Sequence, residues 1–292
     1  MKSADLRMCV MLIAVTVCAQ SLGAPAVISA QVPQQNLPVS EQTPEFRPQL
    51  VPFEVQVLNV PARGDIEIDF KGTKLMPNGT GSVRAKVSNG STSIKAEFEN
   101  VESPTKFGEQ NLVYILWTMT RESPIKLGEL ALKASRGSLE TRTALQTLAL
   151  FATVEPYLQV NRPSDLVVLE QTMTVSKPEA NTGMTIKSEL LRDAYAPIGY
   201  TFEPLNVAVG QPSVYRQAFN ARRIAQIAGA AQSAPEEFKR AERLYQFVLG
   251  DVLSDARPTT DTLKNAITVV RYYESARAAA VRRQTERRPV NQ

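Results

Sequence analysis

Two tetrapeptides, Ser103-Pro104-Thr105-Lys106 and Ser123-Pro124-Ile125-Lys126, have the S-x-x-K spacing of serine–lysine acyl-transfer chemistry. That chemistry needs its serine at a helix start with a K-T-G segment nearby. Both copies lie between strand-like stretches and no K-T-G occurs, so they read as proline-stiffened turns. Asp65, Glu67 and Asp69 gather three carboxylates on one strand face, but they lack the glycine turn and bidentate glutamate spacing of a calcium loop. The expected role is a solvated face paired with Arg84, Lys86 or Lys95. Arg63-Gly64-Asp65 and the sequons Asn78-Gly79-Thr80 and Asn89-Gly90-Ser91 read as turns. Trp117 with Tyr114 has the chemistry of a sugar-stacking platform, yet a lone tryptophan inside an apolar run is expected in a core.

Histidine is absent, which excludes Ser-His-Asp triads, Cys-His pairs and histidine-ligated metals. Both cysteines, Cys9 and Cys18, fall in the N-terminal leader. No catalytic, cofactor-binding or metal residue is predicted, and no enzymatic activity. Hydrolysis by carboxylates alone is the remaining enzymatic alternative, and it needs a pair ~5–10 Å apart that no spacing reveals. The formal charge of +4 is too small over 292 residues to suggest nucleic acid. The basic residues that do cluster are Arg282, Arg283, Arg287 and Arg288, a helix-end group suited to an anionic surface.

These residues need elements to place them. Asn111–Met119 is the longest apolar run after the leader; Val113, Ile115, Trp117 and Met119 share one strand face, and Leu112, Tyr114 and Leu116 the other. Ser82–Val87 and Ser93–Phe98 alternate cleanly about Asn89-Gly90, a type I′ hairpin signal. A two-residue loop there sets Ala85 opposite Ile94, Val83 opposite Ala96, and Arg84 opposite Lys95, with the acidic row of Asp65–Phe70 placed to neutralise the last pair. With Phe53–Val60, Ile125–Ala134, Ser138–Thr143, Leu145–Val154 and Asp165–Thr172, about nine strand candidates fill residues 53–174. The expected class is α+β multidomain: an antiparallel immunoglobulin-like β-sandwich followed by an antiparallel three-helix module.

Residues 1–23 read as a signal peptide, with Lys2 and Arg7 before an apolar stretch and cleavage near Gly23. Val17 before Cys18 departs from a lipoprotein box. No later apolar run reaches the ~18 residues of a membrane span. Residues 24–52 read as a disordered Pro/Gln-rich tether, 175–212 as a linker containing a short helix near Ser188–Ala194, and 284–292 as a basic disordered tail. From 213 to 283 the period turns helical. Val214, Ala218, Ala221, Ala225 and Ala228 form the first inward stripe, with Arg216, Asn220 and Arg223 opposite. Ser233-Ala234-Pro235-Glu236 has the form of a capping box with an early proline, opening a helix that turns Phe238, Ala241, Tyr245, Val248 and Val252 inward. Leu263, Ile267, Val270, Tyr273 and Val281 line the third. Alanine stripes bury little, so the module is expected to lean on the sandwich, on another copy, or on a partner.

Ala221-Arg222, Ala228-Gly229-Ala230 and Ala234-Pro235-Glu236-Glu237, followed by Ala241 and Leu244, make residues 213–283 resemble a bacterial domain family of unknown function found in secreted envelope proteins, some of which carry an OmpA-like peptidoglycan-binding domain. No OmpA-like stretch follows here and Pro258 shortens the second helix, so peptidoglycan binding is carried over to no residue. The resemblance implies a periplasmic or secreted envelope location, with outer-membrane association as one form of it, and a non-catalytic role. The expected function is a structural or protein-interaction module whose partner is another envelope protein or an anionic envelope polymer. The alternative is a periplasmic sensory or regulatory ligand-binding module.

Overall fold

The computed structural model describes residues 44–206, 211–254 and 257–286. The leader with Cys9, Cys18 and Gly23 lies outside the described residues, as do Arg287 and Arg288. Twelve strands come first: β1 (Gln49–Asn59), β2 (Asp65–Gly72), β3 (Thr80–Ser88), β4 (Ser91–Glu99), β5 (Val113–Met119), β6 (Pro124–Glu129), β7 (Ala131–Lys133), β8 (Arg136–Thr143), β9 (Thr147–Leu148), β10 (Leu150–Glu155), β11 (Val167–Val175) and β12 (Asn181–Arg192). Among the described residues four α-helices follow: α1 (Ser213–Ile227), α2 (Ala230–Ser233), α3 (Pro235–Leu253) and α4 (Thr260–Glu286). The α+β architecture is the expected one, a β-sandwich and then helices.

Local turn chemistry decides the hairpin. Asn89 (φ 51°) and Gly90 (φ 74°) take the positive dihedrals of a type I′ turn. The register is the predicted one, with Ala85 opposite Ile94, Val83 opposite Ala96 and Arg84 opposite Lys95. β2 runs antiparallel to β3 and sets Glu67 opposite Arg84. Arg84 then lies 3.6 Å from both Asp65 and Glu67, and Lys95 lies 2.9 Å from Glu97. The like-charged cross-strand pair is thereby neutralised by acids on either side. These pairs are exposed, so each adds little stability.

The larger sheet has nine strands in the order β6-β5-β10-β11-β2-β3-β4-β8-β7, and it nearly closes on itself. The Thr141 hydroxyl on β8 donates to the Leu127 carbonyl on β6 (3.2 Å), joining regions near its opposite edges. Inside lie Ile66, Ile68, Val83, Ile94, Phe98, Tyr114, Leu116, Leu150, Ala152, Val154 and Leu169, all essentially without solvent exposure. The connection from β2 to β3 is equally tight, because a β-carbon at Gly72 would fall 1.8 Å from the Met76 carbonyl oxygen. Gly72→Ala is expected to lower stability by roughly 1–3 kcal/mol through this overpacking, read as an earlier urea midpoint.

The second sheet corrects two expectations. Residues 181–192, expected within a linker and partly helical, form strand β12, which pairs antiparallel with β1 from Gln49 opposite Arg192 to Gln56 opposite Thr185. β1 itself begins at Gln49, and Phe46 is already fully buried, inside the stretch expected to be a disordered tether. The physical reason is pairing. β12 is a half-exposed edge strand with polar residues on its open face, so its pattern is weak until β1 supplies the ladder.

The helical module has the expected three long helices, with α2 as one extra turn. α4 packs against both α1 and α3. Its core is more aromatic than the alanine stripes suggest: Phe219–Tyr245, Phe238–Tyr273 and Tyr245–Tyr273 rings sit 5.5, 5.6 and 6.0 Å apart. The expected capping box does not form. Ser233 ends α2, with its N–H on the Gly229 carbonyl, and Ala234 takes the cap position of α3 without a side-chain bond. Pro235 does open α3 as expected. Among the described residues no helix is long and apolar enough to cross a membrane.

Candidate functional site

The chemistry-bearing side chains converge where the sandwich meets the helices. β10 ends on Glu155, and residues 156–166 leave it to run beneath α1 and α4 before β11 begins. Pairing with β5 puts Phe151 opposite Trp117, Thr153 opposite Ile115 and Glu155 opposite Val113, so Trp117, Thr153 and Glu155 share one face. That face lies opposite the one carrying Tyr114 and Leu116. Every residue of β5 is buried, because both of its faces are covered.

On this face the Trp117 indole N–H donates to Thr153 Oγ1 (2.9 Å), and the Thr153 hydroxyl donates to Glu155 Oε1 (2.5 Å). The Ser164 N–H donates to the same oxygen at 2.7 Å. Glu155 Oε2 has no hydrogen-bond partner, and the residue has no solvent exposure. Burial pushes its carboxyl up to about 7 against the opposing pull of these donors and of the Lys126 charge. Lys126 projects from β6 over the Trp117 ring, 5.5 Å from its centroid. Its ammonium donates to the carbonyls of Leu158 and Val160, and burial lowers its proton affinity.

Beside this chain lies an ion pair that joins α4 to the sandwich. Arg277 donates from Nε to Glu274 Oε2 (2.7 Å) and from Nη2 to Oε1 (2.8 Å). The carboxylate also accepts the Tyr157 hydroxyl at 2.5 Å and the Tyr195 hydroxyl at 3.3 Å. Arg277 stacks 4.3 Å from the Tyr195 ring centroid and donates to the Ala194 carbonyl (2.8 Å). Burial opposes the cation, but the Glu274 charge outweighs it and holds Arg277 protonated well above its ordinary value. Burial, then the same carboxylate, drives Tyr157 and Tyr195 upward, so both stay neutral donors.

α1 docks by a third polar set. Asn220 donates to the carbonyls of Gln110 (2.7 Å) and Pro156 (3.1 Å), and Arg223 to those of Glu203 (2.5 Å) and Glu109 (3.2 Å). Gln217 accepts the Leu158 N–H (2.7 Å) and donates to Glu129 (2.9 Å). Asn220 and Arg223, expected on the outward face, are therefore buried. α1 is covered on nearly every side, and its polar residues cap backbone carbonyls of the sandwich instead of meeting water.

A buried carboxyl near neutrality beside a half-buried lysine has the electrostatics of a general base. It lacks access. A groove of 580 Å³ runs between Val51–Phe53, Lys71–Leu75, Asp165 and Leu190, and another of 450 Å³ lies on the sheet at Arg84, Lys86, Lys95 and Arg142. Neither reaches Glu155, Lys126 or Glu274.

The residues singled out from the sequence are scattered. Both S-x-x-K stretches were expected as turns, but Ser103 precedes a 3-10 helix (Pro104–Phe107) and residues 124–126 open β6. Lys106 pairs with Glu102 at 2.6 Å, the Ser103 hydroxyl bonds that of Thr105, and Ser123 is exposed while Lys126 holds the Val160 carbonyl, so neither S-x-x-K assembles. Among the described residues no group of three or more acids could hold a metal ion, and Asp65 and Glu67 serve Arg84. Arg282 is exposed. Arg283 is not free: it donates to the Ser233 carbonyl and approaches Glu237 at 4.0 Å. The sequence reading passed over Glu155, Glu274 and Arg277. Glu155 closes an apolar run and looks like its solvent-facing end, and Glu274–Arg277 has the spacing of a surface pair. One signal was present: Val270, Glu274, Arg277 and Val281 follow helical spacing, so the pair lies on the inward stripe of α4. Comparison with protein-family models, with curated proteins and with solved structures finds no match to this chain.

Proposed function

We propose that the chain is a non-catalytic protein of the bacterial cell envelope, periplasmic or secreted, acting as a structural or protein-interaction module. The observation that carries this reading is the use of its buried ionisable groups. Glu274 and Arg277 bind each other, Lys126 and Arg223 bind backbone carbonyls, and none of the four lines the 580 Å³ or the 450 Å³ groove. Such groups brace a joint; they do not meet a substrate. The leader-like N-terminus and the resemblance of the helices to secreted envelope domains support the location.

We assign the partner surface to the helices. Phe247 on α3 is 69% exposed, more than Ile198 at 57% or Leu50 at 49%, and Leu253 beyond it on the same helix is 49% exposed. A photoreactive phenylalanine in place of Phe247, irradiated in the whole chain within its native envelope, is expected to cross-link one discrete envelope protein. The same residue in place of exposed Lys187 should not. For the polymer form of the reading, Arg282→Ala should weaken low-salt sedimentation with peptidoglycan or anionic vesicles. Absence of both results overturns the proposal. The 580 Å³ groove favours ligand sensing as the second reading, for which a ligand would raise the Tm of the whole chain by mass action.

A further inference from the structure

The 156–166 segment is the joint of the molecule. Its Pro156 carbonyl and Leu158 N–H bind α1, its Tyr157 hydroxyl binds α4, and its Pro163 carbonyl accepts the Leu191 N–H of β12. Lys126 of β6 holds the carbonyls of Leu158 and Val160. Movement of this segment therefore moves the seat of both helices.

Glu155 anchors the root of that segment. Its Oε1 is saturated by two donors, while Oε2 is enclosed and unpartnered. This arrangement suits a neutral carboxyl with its proton on Oε2, since a carboxylate there would leave charge unsolvated. The groups facing it are Lys126 from β6, Thr153 on its own strand with Trp117 of β5 behind, Ser164 from the segment, and Tyr195 from the stretch after β12. From α4, Glu274 and Arg271 act on Lys126, and Arg277 neutralises Glu274. From α1 come uncharged Gln217 and Asn220, with the Arg223 guanidinium behind them on Asn220 Oδ1.

We propose that Glu155 is a proton-operated latch on this joint. With the proton bound, the carboxyl ties β10 to Ser164 and Lys126 holds the segment. When the 156–166 segment opens and water takes the Oε2 proton, the new carboxylate draws the Lys126 ammonium off Leu158 and Val160, and the seat of α1 and α4 loosens.

The chain contains no histidine and one tryptophan, and that tryptophan is hydrogen-bonded through Thr153 to the carboxyl. Trp117 fluorescence of the whole chain between pH 5.5 and 8.5 is expected to change with a midpoint near 7, the value to which burial lifts Glu155. Its carboxyl is raised in the folded state, so the stabilisation is full below the unfolded value and is lost as pH rises through the folded one. Tm should fall by about 3–6 °C from pH 6 to 8.5. Hydrogen exchange of residues 156–166 and α1, corrected for intrinsic rates, should quicken over the same range. Glu155→Gln should abolish all three responses, and Lys126→Met should move the midpoint upward by removing the cation that favours the carboxylate. A flat wild-type titration, or an unmoved midpoint in both variants, overturns the proposal. If Glu155→Gln does not fold, Lys126→Met and wild-type exchange decide it by the same criteria.

Discussion

Arg277→Met is expected to cost about 3–5 kcal/mol of folding stability, because it strands the Glu274 charge inside the protein. The guanidinium is 6% exposed and its partner 3%, so water cannot replace the lost bonds. Tyr157 and Tyr195 still donate to the carboxylate, but neutral hydroxyls do not compensate a buried charge. The second half of this result is more discriminating. Glu274→Leu combined with Arg277→Met removes both charges at similar volume and should recover more than half of the loss, since replacing a whole buried pair is often neutral. The two tyrosines, Asn161 and the Ala194 carbonyl would then lack partners, which keeps recovery incomplete. Urea unfolding followed by circular dichroism measures all three chains. A double variant no more stable than Arg277→Met alone would mean that the tyrosine hydrogen bonds, and not the ion pair, hold α4 in place.

Trp117→Ala is the other change expected to be severe, at about 3–5 kcal/mol. The side chain is 1% exposed, packs beneath Lys126, and sits opposite Phe151, whose ring lies 4.7 Å from that of Phe53 on β1. Its removal leaves a cavity between the two sheets and takes the indole donor from Thr153. Trp117→Phe should cost less, since it fills most of the space and forfeits chiefly the hydrogen bond. A small loss for Trp117→Ala, measured by the same unfolding, would place Trp117 outside the packing that joins the sheets.

Legibility followed distance along the chain. The β3–β4 register needed only Asn89-Gly90 and two alternating stretches, and the acidic row that steadies Arg84 was readable because β2 adjoins in sequence as well as in space. The inward residues of α3, Phe238, Ala241, Tyr245 and Val248, were readable for the same reason: helical period is a local property. α1 was misread at Asn220 and Arg223 because period alone assigns polar residues to solvent, whereas here the opposite face of the helix meets backbone carbonyls of the sandwich. β12 was missed because an edge strand with polar alternation becomes a strand only through its partner β1, more than a hundred residues earlier. Glu155 was missed because a charge at a strand end usually meets water. What covers it is Ser164 and the segment beneath the helices.

By itself the sequence determined the class of the protein, with strands before helices, the hairpin turn, the apolar strand around Trp117 and the absence of histidine chemistry. These are properties of neighbouring residues, set by turn dihedrals, side-chain alternation and composition. The tertiary structure alone decided that the helices are seated on the sandwich by buried charge, since Tyr157 and Glu274 stand 117 residues apart and their bond exists only once both elements have folded. It also decided that Glu155 is enclosed, because burial of a carboxyl is made by the groups that surround it and is written in none of them.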